Sequence, residues 1–213
     1  IANGLNRVFV NALNHVDHDL NASAYALYTG EPVIACILGT GSNSCYYDGK
    51  TVREEVPALA YILGDEGSAS FIGKQLLADF LYKKLPAELM ADFEKTYKST
   101  KEEIFDRVYN QPHANVYLAS FGPFAGKHKD HPHIKSLVRD GIRKFIDVHV
   151  KCYPESANVS VSFVGSVAKA FEDIIKEELA KDKLKFGRVL AKPVNNLIAY
   201  HLDFMKILDH QKA

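Results

Sequence analysis

The sequence lacks the features that would place it in several large classes of protein. No apolar run approaches the roughly 20 residues that a helix needs to span a bilayer, so no membrane helix is expected. The chain also has no net charge, because 26 lysines and arginines balance 26 aspartates and glutamates. Since proteins that bind nucleic acid through its phosphates usually carry a basic excess, we do not expect a nucleic-acid partner.

Cysteine is scarce, with only Cys36, Cys45 and Cys152 among 213 residues, and no two of them form a Cys-x-x-Cys pair. This pattern argues against a zinc ribbon or a disulfide framework and favours free thiols in a reducing compartment. Hydrophobic residues make up 47% of the chain and charged residues 24%, which is typical of a well-filled globule. We therefore expect a soluble, cytoplasmic protein.

The first third of the chain predicts a helix, a buried strand and a hairpin. Residues 1–18 predict no regular element, because Asn, Gly and His interrupt every apolar run. The alanine-rich stretch Leu20 to Tyr28 is typical of a helix, and the continuous apolar run Val33 to Leu38 is typical of a strand buried on both faces. Asp48-Gly49 is a strong two-residue hairpin signal. Its predicted strands are Ser44 to Tyr47 and Thr51 to Val56.

Helical patterns dominate the middle of the chain, and strands return near its end. The predicted helices are Ser68 to Leu85, one from Pro86, one after a capping box at Ser99 to Glu102, Asn115 to Lys127 and Ile134 to Tyr153. Strands are predicted at Val159 to Val164 and Lys185 to Leu190, separated by a helix from Val167 to Leu179, and a last helix starts at Pro193. Strands alternating with helices indicate an α/β fold, with a helical insertion at about 68–153.

Two glycine-bearing turns carry the strongest functional signal. Gly39-Thr40-Gly41-Ser42 follows the buried strand, and Gly64-Asp65-Glu66-Gly67-Ser68 precedes a long helix. Glycines allow several backbone amides to point at one phosphate, and adjacent carboxylates can serve a substrate hydroxyl. A hairpin turn is already supplied by Asp48-Gly49, so the glycines of the first turn need another reason. The pattern predicts phosphoryl transfer from a nucleotide, with both turns facing one cleft.

The order and spacing of four motifs carry a family resemblance. Asp19, Gly39 to Asn43, Gly64 to Ser68 and Phe163 to Ala168 together resemble the N-acetylglucosamine kinases and the wider BadF/BadG/BcrA/BcrD-type ATPases of the actin/hexokinase/Hsp70 superfamily. The resemblance runs from about Val16 to the end of the sequence. It implies an actin-like ATPase (ribonuclease H-like) fold.

The resemblance also implies a domain division. Residues 1–30 would be a remnant of the N-terminal actin-like domain, and 31–213 would form the C-terminal domain, with a last helix that is able to return toward the first domain. Such proteins begin with a strand and turn that form a first phosphate loop, and nothing before Asp19 supplies one. A second departure is Ala58-Leu59-Ala60, where related sugar kinases commonly have glycine, so the identity of the bound sugar remains open.

By resemblance, Asp19 is the catalytic base that accepts the proton of the attacking hydroxyl. Two alternatives remain open: Asp19 is an ordinary helix N-cap, or the neighbouring Asp17 is the base. Asn43 and Asp65 would hydrogen-bond sugar hydroxyls, and Glu66 would assist the substrate or metal-bound water. The same two acids would also suit a helix N-terminus, where negative charge is favourable.

The nucleotide residues follow from the same resemblance. Gly39, Thr40, Gly41 and Ser42 would hold the phosphates, although a plain turn would look similar. Gly165 and Ser166 would line the adenosine, although Gly-Ser after a strand is often only a strand–helix turn. Three histidines, at positions 128, 131 and 133, lie close together, but the lysines and proline among them indicate a solvated connector, so no metal site is predicted.

The expected function is an ATP-dependent, Mg²⁺-assisted kinase that phosphorylates a primary hydroxyl of an amino sugar. Its partners would be the sugar and the nucleotide, and a homodimer is compatible with the resemblance. One alternative is an activator ATPase that couples hydrolysis to conformational change, of which the iron–sulfur version is disfavoured by the widely separated cysteines. Another is a sugar-binding regulator without catalysis.

Overall fold

A computed structural model describes residues 1–14 and 16–211, with side chains as far as Asp203 in the last helix. The described part is a mixed α/β structure around one five-stranded sheet. The strands are β1 (Val33–Leu38), β2 (Ser42–Tyr47), β3 (Val52–Arg53), β4 (Ser160–Val164) and β5 (Lys185–Leu190). The helices are α1 (Ala2–Val8), α2 (Asp19–Leu27), α3 (Ala60–Leu63), α4 (Ala69–Leu81), α5 (Ala87–Tyr97), α6 (Lys101–Tyr109), α7 (Ala114–Ala119), α8 (Gly122–Lys127), α9 (Pro132–Phe145), α10 (Ser166–Ala170), α11 (Glu172–Lys181) and α12 (Val194–Gln211).

The sheet has the order β3-β2-β1-β4-β5. Strand β1 is antiparallel to β2, with Leu38 opposite Ser42, and parallel to β4, with Ile37 opposite Val164. Because β1 is central and covered on both faces, its residues are almost all buried, as its continuous apolar sequence predicts. The parallel arrangement brings the carboxyl ends of β1 and β4 to the same edge.

Helices cover both faces of the sheet. On one face, α2 packs over β1 and β2, with Leu20 and Ala24 buried against Ala35 and Tyr47. Helix α12 packs on α2, where the ring of Tyr200 stacks on Tyr25 at a centroid distance of 4.8 Å. The division between residues 1–30 and 31–213 stays a prediction.

The other face carries the predicted helical insertion and most of the core. Helices α4 to α9 lie between β3 and β4 in sequence, and apolar side chains of β1 such as Ile34 and Leu38 join their core. Helix α9 continues as a π-helical turn at Ile146–Val150, followed by a 3₁₀ turn at Pro154–Ala157. No described helix has the length and apolar character needed to cross a bilayer.

Several element boundaries differ from the sequence predictions. Helix α1 forms in the segment predicted to be irregular, although none of its residues is buried. The predicted helix 115–127 is two helices, because the chain turns at Ser120 and Phe121 ahead of Pro123 in the first turn of α8. A break at Phe171 likewise separates α10 from α11.

The capping box was predicted one residue too early. The Ser-Thr-Lys-Glu-Glu sequence permits two frames of the same motif. The structure uses the later one, in which the Thr100 hydroxyl accepts from the Glu103 amide and the Glu103 carboxylate accepts from the Thr100 amide.

Candidate active site

The first glycine turn, Gly39 to Gly41, connects the antiparallel strands β1 and β2. The Gly39 N–H donates to the Gly41 carbonyl at 3.0 Å, which closes the turn. The turn is therefore a hairpin connection in its own right, in addition to the one at Asp48-Gly49, and the phosphate-binding role of its glycines stays a prediction. Its position at the carboxyl end of the central strand, beside the end of β4, is where ligands bind in open α/β sheets.

The second turn is hydrogen-bonded directly to the first. The Ala69 N–H donates to the Gly39 carbonyl at 2.8 Å, and the Ser70 N–H donates to the Thr40 carbonyl at 3.1 Å. These donors belong to the first turn of α4 and would otherwise lack intrahelical partners. Both turns therefore form one hydrogen-bonded unit, and that they face one cleft stays a prediction.

Asp65 lies at the centre of this unit. Its Oδ1 accepts the Ser42 N–H at 3.1 Å, and its Oδ2 accepts the Ser70 hydroxyl at 3.3 Å. The residue is only 8% exposed and has a left-handed backbone with φ of 57°, a conformation that is uncommon outside glycine. A side chain at Gly41 would place its Cβ 2.8 Å from Asp65 Oδ1, so the close approach of the two turns requires glycine at position 41.

A cavity of about 290 Å³ opens beside the first turn. Thr40 and Ser166 both line it, so the first turn and the segment after β4 face the same space. Gly165 has φ of 123°, and a Cβ there would lie 2.1 Å from the Leu38 carbonyl oxygen, so only glycine fits. The volume is near the lower limit of about 300 Å³ that is usual for ligand pockets.

A larger cavity of about 420 Å³ lies between α4 and α6. Its lining is mainly apolar and includes Leu77, Ile104 and Phe105. None of the motif residues lines it, so we assign the candidate site to the smaller cavity.

The cavity of about 290 Å³ lies on the face of the sheet that carries the helical insertion, whereas Asn43 and Asp19 lie on the other face. Alternation along β2 places Asn43 on the same face as Cys45 and Tyr47, the face covered by α2. The Leu20 carbonyl lies 4.0 Å from Cys45 Sγ, so the first turn of α2 sits over β2. Asn43 donates to Glu54 Oε2 at 3.3 Å, a partner that the sequence analysis missed because nothing in the sequence marks it.

The two acids at the start of α2, Asp17 and Asp19, differ in their surroundings. Asp17 Oδ1 accepts both the His18 N–H and the Asn21 side-chain amide, and the Asn21 hydrogen bond is the largest cause that lowers the pKa of Asp17. Asp19 is exposed and is the first residue of the helix, while His18 occupies the N-cap position. The N-cap interpretation of Asp19 is therefore wrong for this structure.

Glu66 contacts a buried histidine, His149. Its Oε2 lies 3.4 Å from His149 Nε2, in the π-helical turn after α9. The sequence analysis missed His149, since a lone histidine in a helical pattern carries no signal.

Comparison with known structures identifies the fold. A candidate N-acetylglucosamine kinase from Porphyromonas gingivalis matches at 38% identity and a TM-score of 0.82, over 86% of this chain and 64% of its own. A second candidate N-acetylglucosamine kinase, from Chromobacterium violaceum, matches at 15% identity and a TM-score of 0.63, over 84% of this chain and 64% of its own, which shows a shared fold alone. No protein-family model and no curated protein sequence matches.

The comparisons support a relationship between this chain and the N-acetylglucosamine kinase-like, actin/hexokinase-type ATPases. The chain spans 64% of the length of both of these relatives. The five-stranded sheet with its helical insertion thus has the actin-like ATPase fold that the sequence predicted. The activity, substrates and partners of the whole kinase-like protein are proposals, taken up below.

The histidine-rich connector of this kinase-like chain serves a structural purpose. Its three histidines each meet a different carboxylate on α4 or α5: His128 contacts Asp92 at 2.7 Å, His131 contacts Glu88 at 2.9 Å, and His133 contacts Asp79 at 2.9 Å. Within the described residues, no group of three or more His, Cys, Asp or Glu side chains is arranged to hold a metal ion.

Proposed function

We propose that this protein is an ATP-dependent sugar kinase that transfers the γ-phosphate of ATP to a primary hydroxyl of an amino sugar. The observation that carries the proposal is the contact between the two turns, in which the Asp65 carboxylate lies against Gly41 and accepts the Ser42 amide. This arrangement supports a site where a carboxylate that orients hydroxyl groups adjoins a turn suited to phosphate.

The nucleotide would occupy the cavity of about 290 Å³ beside Thr40 and Ser166. The Thr40 hydroxyl and the amides of Thr40 and Gly41 are suited to the phosphates, since the amides of Gly39 and Ser42 already donate to the Gly41 carbonyl and to Asp65. The bare backbone at Gly165 would allow a nucleoside to approach β4 closely. Mg²⁺ would neutralise phosphate charge, and it usually binds through substrate phosphates with one or two carboxylates, so a protein-built cage is not required.

The sugar would lie on the other side of the first turn, between Asn43 and Asp65. A carboxylate that accepts two hydroxyl donors discriminates among polyols, because a sugar without one of them leaves a buried acceptor unpaired. Asp19 would be the catalytic base, since its helix end lies over β2 on the same face as Asn43 and it is exposed. It would take the proton of the attacking hydroxyl, and positioning would supply most of the remaining acceleration.

The structure gives little support to an activator ATPase with an interfacial iron–sulfur cluster. Cys36 and Cys45 are fully buried, and burial raises the pKa of both thiols, that of Cys45 to about 12. A cluster needs exposed thiolates at an interface, and neither residue provides one.

A coupled assay of ADP release tests the proposal on the native protein with a panel of hexoses and N-acetylhexosamines. We expect release to depend on an N-acetylhexosamine. Hydrolysis that is equal with and without sugars would favour the activator class, and sugar binding without turnover would favour a regulator; either result would contradict the kinase.

The role of Asp19 is tested separately by Asp19→Asn, with Asp17→Asn as its matched control. We expect Asp19→Asn to lose turnover and still bind nucleotide, because only the proton acceptor is removed. Asp17→Asn should retain turnover, since its carboxylate serves the turn before α2. The reverse pattern would identify Asp17 as the base.

A further inference from the structure

The end of α9 contains a departure from regular helix. Residues Ile146–Val150 form a π-helical turn directly after Phe145. Such turns are rare, accommodate one extra residue in the helix and are frequent at functional sites. Within this turn, His149 contacts Glu66 of the second glycine turn.

His149 is fixed in position by its surroundings. The residue is 2% exposed, and its ring stacks on Phe145 with 5.1 Å between centroids. Its carbonyl accepts the Ser44 hydroxyl at 2.6 Å, and the Tyr153 hydroxyl donates to the Ser44 carbonyl at 3.0 Å. The π-helical turn is thereby attached to β2, the strand that starts from the first glycine turn.

His149 and Glu66 meet in a partly buried ion-pair contact that is long for a hydrogen bond. Their facing atoms, Nε2 and Oε2, are 3.4 Å apart, longer than the 2.7–2.9 Å or so of a charge-assisted hydrogen bond. Glu66 Oε2 and His149 Nδ1 are both buried without a hydrogen-bond partner in the described structure. Buried unpaired polar atoms are unfavourable, so an apolar pair would serve the core better.

The same helix also contacts the second turn at Gly67. A Cβ at Gly67 would lie 3.2 Å from the Gly141 carbonyl oxygen, so α9 approaches the turn at backbone distance. Asp65, two residues earlier, has a left-handed backbone, a conformation that aspartate adopts more readily than most residues but less readily than glycine. The next residue, Glu66, contacts His149, and Gly67 lies against the backbone of α9.

We infer that His149 is a positioning residue, which acts through Glu66 to hold Asp65 in the left-handed conformation that places its carboxylate against Gly41. His149 belongs to the π-helical turn. Glu66 then contributes to sugar binding through the placement of Asp65. The expected effect of His149 on sugar binding rests on the proposed function. Its expected effect on the backbone at residues 64–70 can be measured without any turnover.

Hydrogen exchange of the backbone amides at residues 64–70 tests the structural consequence. In wild type, the Ser68 N–H donates to the Asp65 carbonyl at 3.1 Å. We expect His149→Phe, which keeps the ring stack and loses the contact with Glu66, to exchange about tenfold faster in this segment. Glu66→Ala, which removes the carboxylate, should give the same result, and it decides the question if His149→Phe does not fold. The matched control is His133→Phe, which removes a histidine–carboxylate contact of 2.9 Å with Asp79 away from the turns and should leave the segment unchanged.

Kinetics test the consequence for the substrate. His149→Phe should raise the KM for the sugar about tenfold, with the KM for ATP unchanged, and His149→Gln, which retains a side-chain amide able to reach Glu66, should recover most of the loss. If exchange at residues 64–70 is the same in wild type, His149→Phe and Glu66→Ala, the inference is wrong. If wild type neither binds nor phosphorylates a sugar, the proposed function fails, and the exchange result still decides the role of His149.

Discussion

The Gly41→Ala substitution tests the contact between the two glycine turns. The new Cβ would lie 2.8 Å from Asp65 Oδ1, whereas ordinary contacts begin at 3.4 Å, so the carboxylate must move by about 0.6 Å. The Ser42 N–H is already 3.1 Å from Oδ1, and the added displacement would break this hydrogen bond. Since Asp65 is short and Ser70 holds its other oxygen, the strain cannot be relieved by rotation of a long side chain.

The magnitude follows from the loss of a hydrogen bond to a charged group. Such bonds contribute about 1.5–3 kcal/mol, and a sugar hydroxyl that loses its bond to the displaced carboxylate loses a comparable amount. The expected result is an increase of about 10- to 150-fold in the dissociation constant for the sugar. Calorimetric titration of the sugar at saturating, non-hydrolysable nucleotide measures this directly.

The control for this substitution is Gly4→Ala. Gly4 is in the exposed helix α1, and a Cβ there would meet nothing within 4 Å, so sugar affinity should be unchanged. An affinity for Gly41→Ala within about twofold of wild type would contradict the reasoning, because a 0.6 Å displacement of the carboxylate must weaken its hydrogen bonds.

Three further predictions concern stability. Gly73→Ala should lower the free energy of unfolding by about 1–3 kcal/mol, as measured by denaturant titration. The new Cβ would lie 1.8 Å from the Leu118 carbonyl oxygen, and this clash exceeds the gain of about 1 kcal/mol in helix propensity. Glu178→Gln should lower it by about 2–3 kcal/mol, because the fully buried carboxylate pairs with Arg139 at 3.0 Å; the partial exposure of the arginine reduces the effect. Burial lowers the pKa of His149 below its ordinary value of 6.5, so the unfolded chain binds a proton more readily than the folded one. The contribution of His149 to the free energy of unfolding should therefore be complete above about pH 6.5 and decline as the pH falls below it. Thermal melts of His149→Phe at several pH values should lack that part of the decline.

The sequence was sufficient to predict the fold where local pattern and burial agree. Strand β1 has a continuous apolar sequence because it is central, and this is the reason that it could be recognised. The two glycine turns could be paired in advance because small residues mark places where backbones approach closely, as Gly41 and Asp65 do.

The missed features depend on contacts between residues far apart in sequence. The π-helical turn at Ile146–Val150 is one extra residue in a helical pattern, and the partners of His149 and Asn43 lie on other elements. The break at Phe171 within the predicted helix 167–179 is also set by tertiary packing, since Phe171 is buried in the core. Hydrophobic periodicity contains no information on such contacts.

The central claim is that Asp65 receives a sugar beside a nucleotide held at Gly39 to Ser42. Its most direct test is the Asp65→Asn variant, titrated separately with an N-acetylhexosamine and with a non-hydrolysable ATP analogue. We expect wild type to bind both, and the variant to bind the sugar at least about tenfold more weakly while its affinity for the nucleotide stays the same. Unchanged binding of the sugar by Asp65→Asn would contradict the claim.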